Sequence, residues 1–423
     1  MGEYTTVSLF SGAGGLDLGL EEAGWDVLAQ IEMDADSVGT LKNHAESRGL
    51  KTDIIPAHIE NMDPRSLRTG LGLRKGALAL LAGGPPCQPF TTTGLRQATN
   101  DRRASSLFPA YFRFVAEFEP QAILIENVDG LLSAALRHRR LIARGKGHPT
   151  LEPDEQKGSF LRWFLGCLVE QGYSVAWGVL EAADHGVPQM RQRAILLGIK
   201  GEGPCYLPPA EFGWPGLPAY RTARWALSNV GELGPVQPLS QRKKDVYALV
   251  PPGGNWRNLP EDVRKATMGA AYIAEGGKSG WWRRLSWEMP APTILGMPDH
   301  SSTALIHPDE LRCLSVNECA AIQTFPPDVR FAGSSRSQYQ QIGNAVPVLM
   351  ARRLGEHLRG FLEGERGARP GPPPWRQASA NRRIGTHGWV TPSEDGPRYC
   401  LNAQVRPDHV WATKSEEATL VGF

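Results

Sequence analysis

Apolar positions in the first 200 residues fall into two alternating kinds. Short runs are apolar at almost every position: Thr6 to Phe10, Val27 to Ile31, Ala77 to Ala82 and Ala122 to Ile125. Between them lie longer stretches with apolar residues at helical spacing, such as Leu16 to Ala23 (closed by Gly24) and Leu107 to Phe118. Phe160 to Val169 is a further helix, and Ser174 to Val179 and Ala194 to Ile199 are further strands. Strands apolar on both faces and separated by helices predict a mostly parallel sheet covered on both sides, a doubly wound α/β fold.

The pattern breaks near Gly201. Residues 201–308 hold fourteen prolines and six of the twelve tryptophans, which predicts a smaller, loop-rich second unit. Helical spacing returns at Val316 to Gln323 and Val346 to Leu362, so residues 309–362 read as a return to the first unit, residues 1–200. Residues 363–423 form a basic extension rich in proline and glycine. Within it, 366–393 carry five arginines, no acids and Pro372-Pro373-Pro374, and read as a mobile linker.

Composition narrows the class. A chain of 423 residues that is 41% hydrophobic and 21% charged can bury a core, which excludes wholesale disorder. The net charge of +2 decides nothing about a nucleic-acid partner. Cysteines at 87, 167, 205, 313, 319 and 400 include no Cys-x-x-Cys, so no metal site is expected and a reducing compartment is. No apolar run approaches the ~18 residues of a membrane span, and the start lacks a signal-peptide layout. A soluble, cytoplasmic protein is the expectation.

Candidate chemistry clusters after the strands. The first runs into Phe10-Ser11-Gly12-Ala13-Gly14-Gly15-Leu16, a turn whose glycines allow close backbone approach to a ligand at a helix start. An ordinary βα turn could carry the same residues. Glu32, followed by Met33, ends the second strand, where a carboxylate can accept both ribose hydroxyls. Asp53, before Ile54, could accept from an adenine amine. The order favours a nucleoside cofactor.

The fourth strand leads into Gly83-Gly84-Pro85-Pro86-Cys87-Gln88, a thiol held on a stiff loop where α/β ligands bind. Cysteine is intrinsically nucleophilic, and the Gly-Gly-Pro-Pro lead-in serves no packing purpose; Cys167, in an apolar helix, fits a packing role. The fifth strand ends in Glu126-Asn127-Val128, which sets a carboxyl beside the thiol. Arg191 and Arg193, in Gln189-Met190-Arg191-Gln192-Arg193, share a face of an extended segment; such pairs also decorate edge strands.

With Leu314-Ser315, Glu318, Gln323-Thr324-Phe325-Pro326 and Gln341-Ile342-Gly343-Asn344-Ala345-Val346-Pro347, this ordered set resembles the C5-cytosine DNA methyltransferases, most closely the bacterial modification enzymes. The resemblance spans roughly residues 4–362. It implies a base-flipping transferase using S-adenosyl-L-methionine, because a stacked cytosine must leave the duplex before its ring edge can be reached. By resemblance, Cys87 adds to C6, Glu126 bonds N3 and the exocyclic amine, Arg193 holds O2, and Arg191 orders the nucleophile loop. The cofactor falls to Phe10 through Leu16, Glu32, Met33, Asp53, Ile54, Gly84, Pro85, Asn344, Ala345 and Val346.

Residues 201–308 match the family's target-recognition region. Gln88, Thr93, Arg96, Arg102 and Arg103 after the nucleophile, and Lys278, Arg283 and Arg284 beyond, suit phosphate and base contacts to double-stranded DNA. Functional pairing with a restriction endonuclease and a monomeric state complete the expectation. A transfer-RNA methyltransferase, a silent DNA-binding relative and a nicotinamide dehydrogenase are the competing readings. The long Trp-rich segment argues against the first, the intact Cys87, Glu126 and arginines against the second, and the missing Gly-x-Gly-x-x-Gly turn against the third.

Overall fold

The computed structural model describes residues 3–86, 102–139, 141–201, 203, 205–228, 230–274, 280–364, 388–391 and 398–401. Strand and helix alternate as β1 (Thr5–Leu9), α1 (Gly15–Glu22), β2 (Asp26–Glu32), α2 (Ala35–Arg48), β3 (Asp53–Pro56), α3 (Pro64–Gly70), β4 (Leu80–Gly83), α4 (Arg102–Phe118), β5 (Ala122–Asn127), α5 (Ser159–Glu170) and β6 (Tyr173–Glu181). Then follow β7 (Gln189–Met190), β8 (Gln192–Lys200), α6 (Ala223–Leu227), α7 (Gln241–Ala248), α8 (Glu261–Met268), α9 (Ala270–Ile273), β9 (Ala291–Pro292), α10 (Val316–Ile322), α11 (Ser335–Asn344) and α12 (Val348–Leu362). Two late strands are β10 (Gly388–Thr391) and β11 (Arg398–Leu401).

The main sheet runs β11-β10-β6-β8-β5-β4-β1-β2-β3. Pairing from β3 through β5 is parallel, as expected of a doubly wound fold. β8 is antiparallel to both β5 and β6, so β6 runs in the same sense as β5. The carboxyl ends of β1, β2, β4, β5 and β6 therefore share one edge, and the reversed β8 brings its amino end, Gln192-Arg193, to that same edge. Ligands of such sheets bind there.

Each face of the sheet has its own core. On one side Val7, Leu9 and Leu81 pack with Phe108, Phe114, Phe164 and Leu168 of α4 and α5. On the other, Leu80, Ala82 and Leu197 pack with Leu16 and Leu20 of α1 and Met350, Leu354 and Leu358 of α12. A separate small core gathers Leu239, Tyr247, Val250, Trp282, Ile306 and Cys313, a later and narrower stretch than 201–308, because Cys205 and Ala223 pack with the larger unit. The linker expected over 366–393 is corrected at its end. Residues 388–390 pair antiparallel with Val175–Trp177 of β6, where Trp-Val-Thr has strong strand preference and β6 offers an open edge. Among the described residues, no helix is long and apolar enough to cross a membrane.

Candidate active site

The chain leaves β1 through a turn that only particular residues tolerate. Phe10 has φ +59°, Gly12 +55° and Gly14 +80°, all in the left-handed region. Glu32, at the end of β2, braces this turn: one carboxylate oxygen accepts from Gly12 N–H (2.8 Å), the other from Met33 and Asp34 N–H (2.8 Å each). A Cβ on Gly15 would stand 2.4 Å from the Val346 carbonyl, so the turn lies directly against Ala345 and Val346, which are buried. A Cβ on Gly12 would meet nothing within 4 Å, and Met33 is 57% exposed. The turn, the end of β2 and Ala345-Val346 thus form a cradle open above Gly12, dimensioned for close backbone contact with a ligand. The residues present fit a nucleoside donor.

A second corner forms where β4, β5 and β8 meet. Glu126, 7% exposed, is ion-paired to Arg193 (Nε to Oε1, 2.7 Å). Asn127 Nδ2 donates to the Pro85 carbonyl (2.9 Å), fixing the loop that leads into Cys87. A Cβ on Gly84 would come within 3.3 Å of Glu126 Oε2, so this carboxylate sits immediately beside the strand end carrying the thiol. Carboxylate and guanidinium occupy neighbouring positions and can address adjacent polar atoms of one small planar ligand.

Beneath that corner lies a buried polar network. Arg191, fully buried, donates to the carbonyls of Ile294 (3.0 Å), Gly343 (2.8 Å) and Ala345 (3.0 Å), and its backbone N–H donates to Glu181. Gln189 accepts from Ile294 N–H (2.9 Å) and donates to Gln323 Oε1 (2.9 Å), while Gln323 donates to Ile342 O (2.7 Å). Buried polar groups must be paired, and here the pairing ties four distant stretches of chain, residues 189–191, 294, 323 and 342–345, into one floor. Ser315 and Glu318 form a reciprocal cap on α10: Glu318 N–H donates to Ser315 Oγ (3.1 Å) and Ser315 N–H to Glu318 Oε2 (2.7 Å).

Several expectations are corrected. Arg191, expected to order the nucleophile loop, is fully buried and holds the carbonyls of Ile294, Gly343 and Ala345. Asp53 pairs in register with Ala29, whereas Glu32 pairs with Pro56. It therefore stands at the start of β3, about 10 Å from the ligand edge at ~3.3 Å per residue. Ala57 and His58 are the residues that reach that edge, Ala57 N–H donating to Glu32 O (3.1 Å); the length of strand after Asp53 is the sequence signal that points to them. Arg284, expected on DNA, is buried and donates to the carbonyls of Val250 (2.9 Å) and Pro308. Arg283 is partly buried, and burial lowers its pKa. Asn344, the last residue of α11, is exposed beside the buried Ala345. Ile54 is half-buried within β3. Cys87, Gln88, Thr93, Arg96 and Lys278 lie outside the described residues, as do the side chains of Arg102 and Arg103, which open α4.

Residues 4–360 match the family described as C-5 cytosine-specific DNA methylase. The chain is 32% identical over 361 residues to the Type II methyltransferase M.Sau96I of Staphylococcus aureus, covering 85% of this chain and 76% of that relative. It is 33% identical over 372 residues to M.Eco47II of Escherichia coli, covering 85% and 80%. Among solved structures, the Entamoeba histolytica methyltransferase EhMeth shares the fold, with a TM-score of 0.57 at 15% identity over 86% of this chain and 99% of that one. A match of this extent, over a fold whose glycine cradle and Glu126–Arg193 corner share one sheet edge, establishes that the chain belongs to the C-5 cytosine-specific DNA methylases, which transfer a methyl group from S-adenosyl-L-methionine to cytosine in DNA.

Proposed function

We propose that this chain is the modification enzyme of a restriction–modification pair, methylating C5 of a flipped-out cytosine in a short duplex sequence with Cys87 as nucleophile. The observation that carries this reading is the Glu126–Arg193 pair set against Gly84, three residues before the thiol. Cytosine C5 is a poor nucleophile. The Cys87 thiolate adds to C6, the C5–C6 pair moves to C4–C5 to make the enamine, and the C4–N3 pair moves to N3, which takes a proton from the Glu126 carboxyl. Glu126 also accepts from the exocyclic amine, and Arg193 holds O2. S-Adenosyl-L-methionine, held at the glycine turn, would supply the methyl group that C5 takes, and N3 returns its proton to Glu126 as the C4–N3 double bond re-forms. A base then takes the C5 proton, the electron pair re-forms the C5–C6 double bond, and Cys87 leaves as thiolate.

In this reading Glu32, Gly12, Met33, Ala345 and Val346 hold the donor, with Ala57 and His58 in the place first given to Asp53. Arg191 acts as a positioning residue that keeps the floor of the pocket against Gly343 and Ala345. The small core at 239–313 reads the target sequence, with Lys278 and Arg283 as DNA contacts there and Gln88, Thr93, Arg96, Arg102 and Arg103 as DNA contacts in the stretch after the nucleophile. We infer a monomer in the cytoplasm, associated with the nucleoid and functionally paired with an endonuclease without contact, because the relatives are Type II methyltransferases. Sequencing 5-methylcytosine after treating unmethylated genomic DNA gives the target. A duplex with 5-fluorocytosine at that position should then trap the protein covalently through Cys87, and Cys87→Ser should form no adduct. Trapping through another residue, or methyl transfer to transfer RNA but not DNA, overturns the reading.

A further inference from the structure

The crossover from β5 to α5 makes an excursion, residues 134–158, that the chemistry at Cys87 does not use. It follows the helical turn at Asp129–Ser133, which comes directly after the carboxyl end of β5. Its base is closed by backbone bonds, Gly158 N–H to Ala134 O (3.0 Å) and Arg137 N–H to Asp154 O (2.9 Å). Inside, Glu155 is 3% exposed and takes Arg139 Nε (3.0 Å) and Arg137 Nη1 (3.2 Å), while Asp154 takes Arg137 Nε (2.8 Å). These acids are committed to two arginines. The tip, Arg144-Gly145-Lys146-Gly147-His148, is basic: neither Arg144 nor Lys146 is in an ion pair among the described residues, and half-buried Arg144 is oriented by its Nε donating to the Arg139 carbonyl (2.7 Å). Gly145 (φ +96°) and Gly147 (φ +91°) make the tip a tight turn with open space around both, and Lys146 and His148 are exposed.

We propose that this tip is a binding site for the phosphodiester backbone of the DNA duplex, outside the bases that are recognised. The inference rests on the DNA-methylating reading above. A partner with one charge per ~1.7 Å of axis is drawn to exposed cations that no ion pair compensates. Flanking glycines let a phosphate approach the main chain, and the ion-paired base means that little ordering remains to be done on contact. Contacts of this kind set register and affinity and carry no sequence information.

The test is full-length Arg144→Ala/Lys146→Ala. Anisotropy with a duplex of arbitrary sequence should show the log–log salt slope falling by about 1.8, two contacts at ~0.9 each. The wild-type advantage should thus shrink about tenfold between about 50 and about 200 mM salt. On unmethylated plasmid, KM for DNA should rise while kcat holds, and Arg144→Lys/Lys146→Arg should keep the wild-type slope. An unchanged slope and KM overturn the proposal. Lys146→Glu, at an exposed position, gives the same readout should the double exchange lower the melting temperature. A wild-type protein that binds with this salt dependence yet transfers no methyl group would overturn the catalytic reading and leave the tip standing.

Discussion

Asp17 lies in the first turn of α1, fully buried, with Gln30 Nε2 donating to it (2.9 Å). Burial pushes its carboxyl from 3.8 to about 6, although hydrogen bonds from Ser8, Gln30 and Ser11 pull the other way. His185 is 3% exposed, and neither ring nitrogen has a partner among the described residues. Burial, with Arg353 and His357 nearby, lowers it from 6.5 to about 4. The signs oppose. Between pH 3.8 and 6 the folded state holds the extra proton on Asp17, so that contribution to stability is full below 3.8 and is lost as pH rises through 6. The unfolded state holds the extra proton on His185 between pH 4 and 6.5, so its contribution is present above 6.5 and is lost as pH falls through 4. These two contributions should largely offset each other across this range. Asp17→Asn should gain up to about 3 kcal/mol at pH 7.5 and nothing at pH 3.8, and His185→Phe should gain only toward acid. Urea unfolding at four pH values checks this; parallel curves for the three proteins would refute it. Neither residue stood out in the sequence, because burial is a property of the fold. The same holds for Asp53 and Arg284. Their chemistry was legible, but which end of a strand or which side of a loop they occupy was not.

Helices α1 and α12 approach at backbone distance, which is how a segment 330 residues downstream comes to wall the glycine cradle. A Cβ on Gly19 would meet the Val348 carbonyl at 2.4 Å and the Ala351 Cβ at 2.5 Å, and one on Gly355 would meet the Ala23 Cβ at 2.8 Å. Gly19 is one helical turn from Gly15, so both glycines serve a single close contact that starts at the cradle. Gly19→Ala should force the helices apart, costing about 1–3 kcal/mol as overpacking does, and draw Val346 off the turn. The KM for S-adenosyl-L-methionine should rise several-fold more than the KM for DNA; equal effects on both would place the strain elsewhere. Elements with continuous apolar runs were legible from pattern alone. α2 was not, since its signal lies in its caps, Asp34 accepting from Ser37 N–H (2.8 Å) and Gly49 at φ +63°. The reversal of β8 was equally silent, because an apolar run fits either direction, and that reversal is what delivers Arg193 to Glu126.

At the scale of the whole molecule, the chemistry needs only the part of the sheet from β2 to β8, and the far edge belongs to the C-terminal extension. β10 pairs with β6 through Gly388–Trp177, Trp389–Ala176 and Val390–Val175, and β11 continues beyond it. Cutting the chain after Gly364 removes both strands and makes β6 the edge. The lost ladder should cost roughly 2–3 kcal/mol, at about 1 kcal/mol for each net hydrogen bond. A nearly wholly buried strand such as β6 would then offer unpaired backbone groups to other molecules, the condition that favours edge-to-edge association. The glycine cradle and the Glu126 corner lie on strands away from that edge, and α12 ends at Leu362, before the cut. The truncated protein should therefore methylate DNA at near wild-type kcat in dilute solution, melt several degrees lower, and form concentration-dependent aggregates visible by light scattering. A truncation that leaves melting and solubility unchanged would mean that the β6–β10 pairing contributes nothing. One that abolishes methyl transfer while the fold survives would mean that the extension reaches the reaction itself.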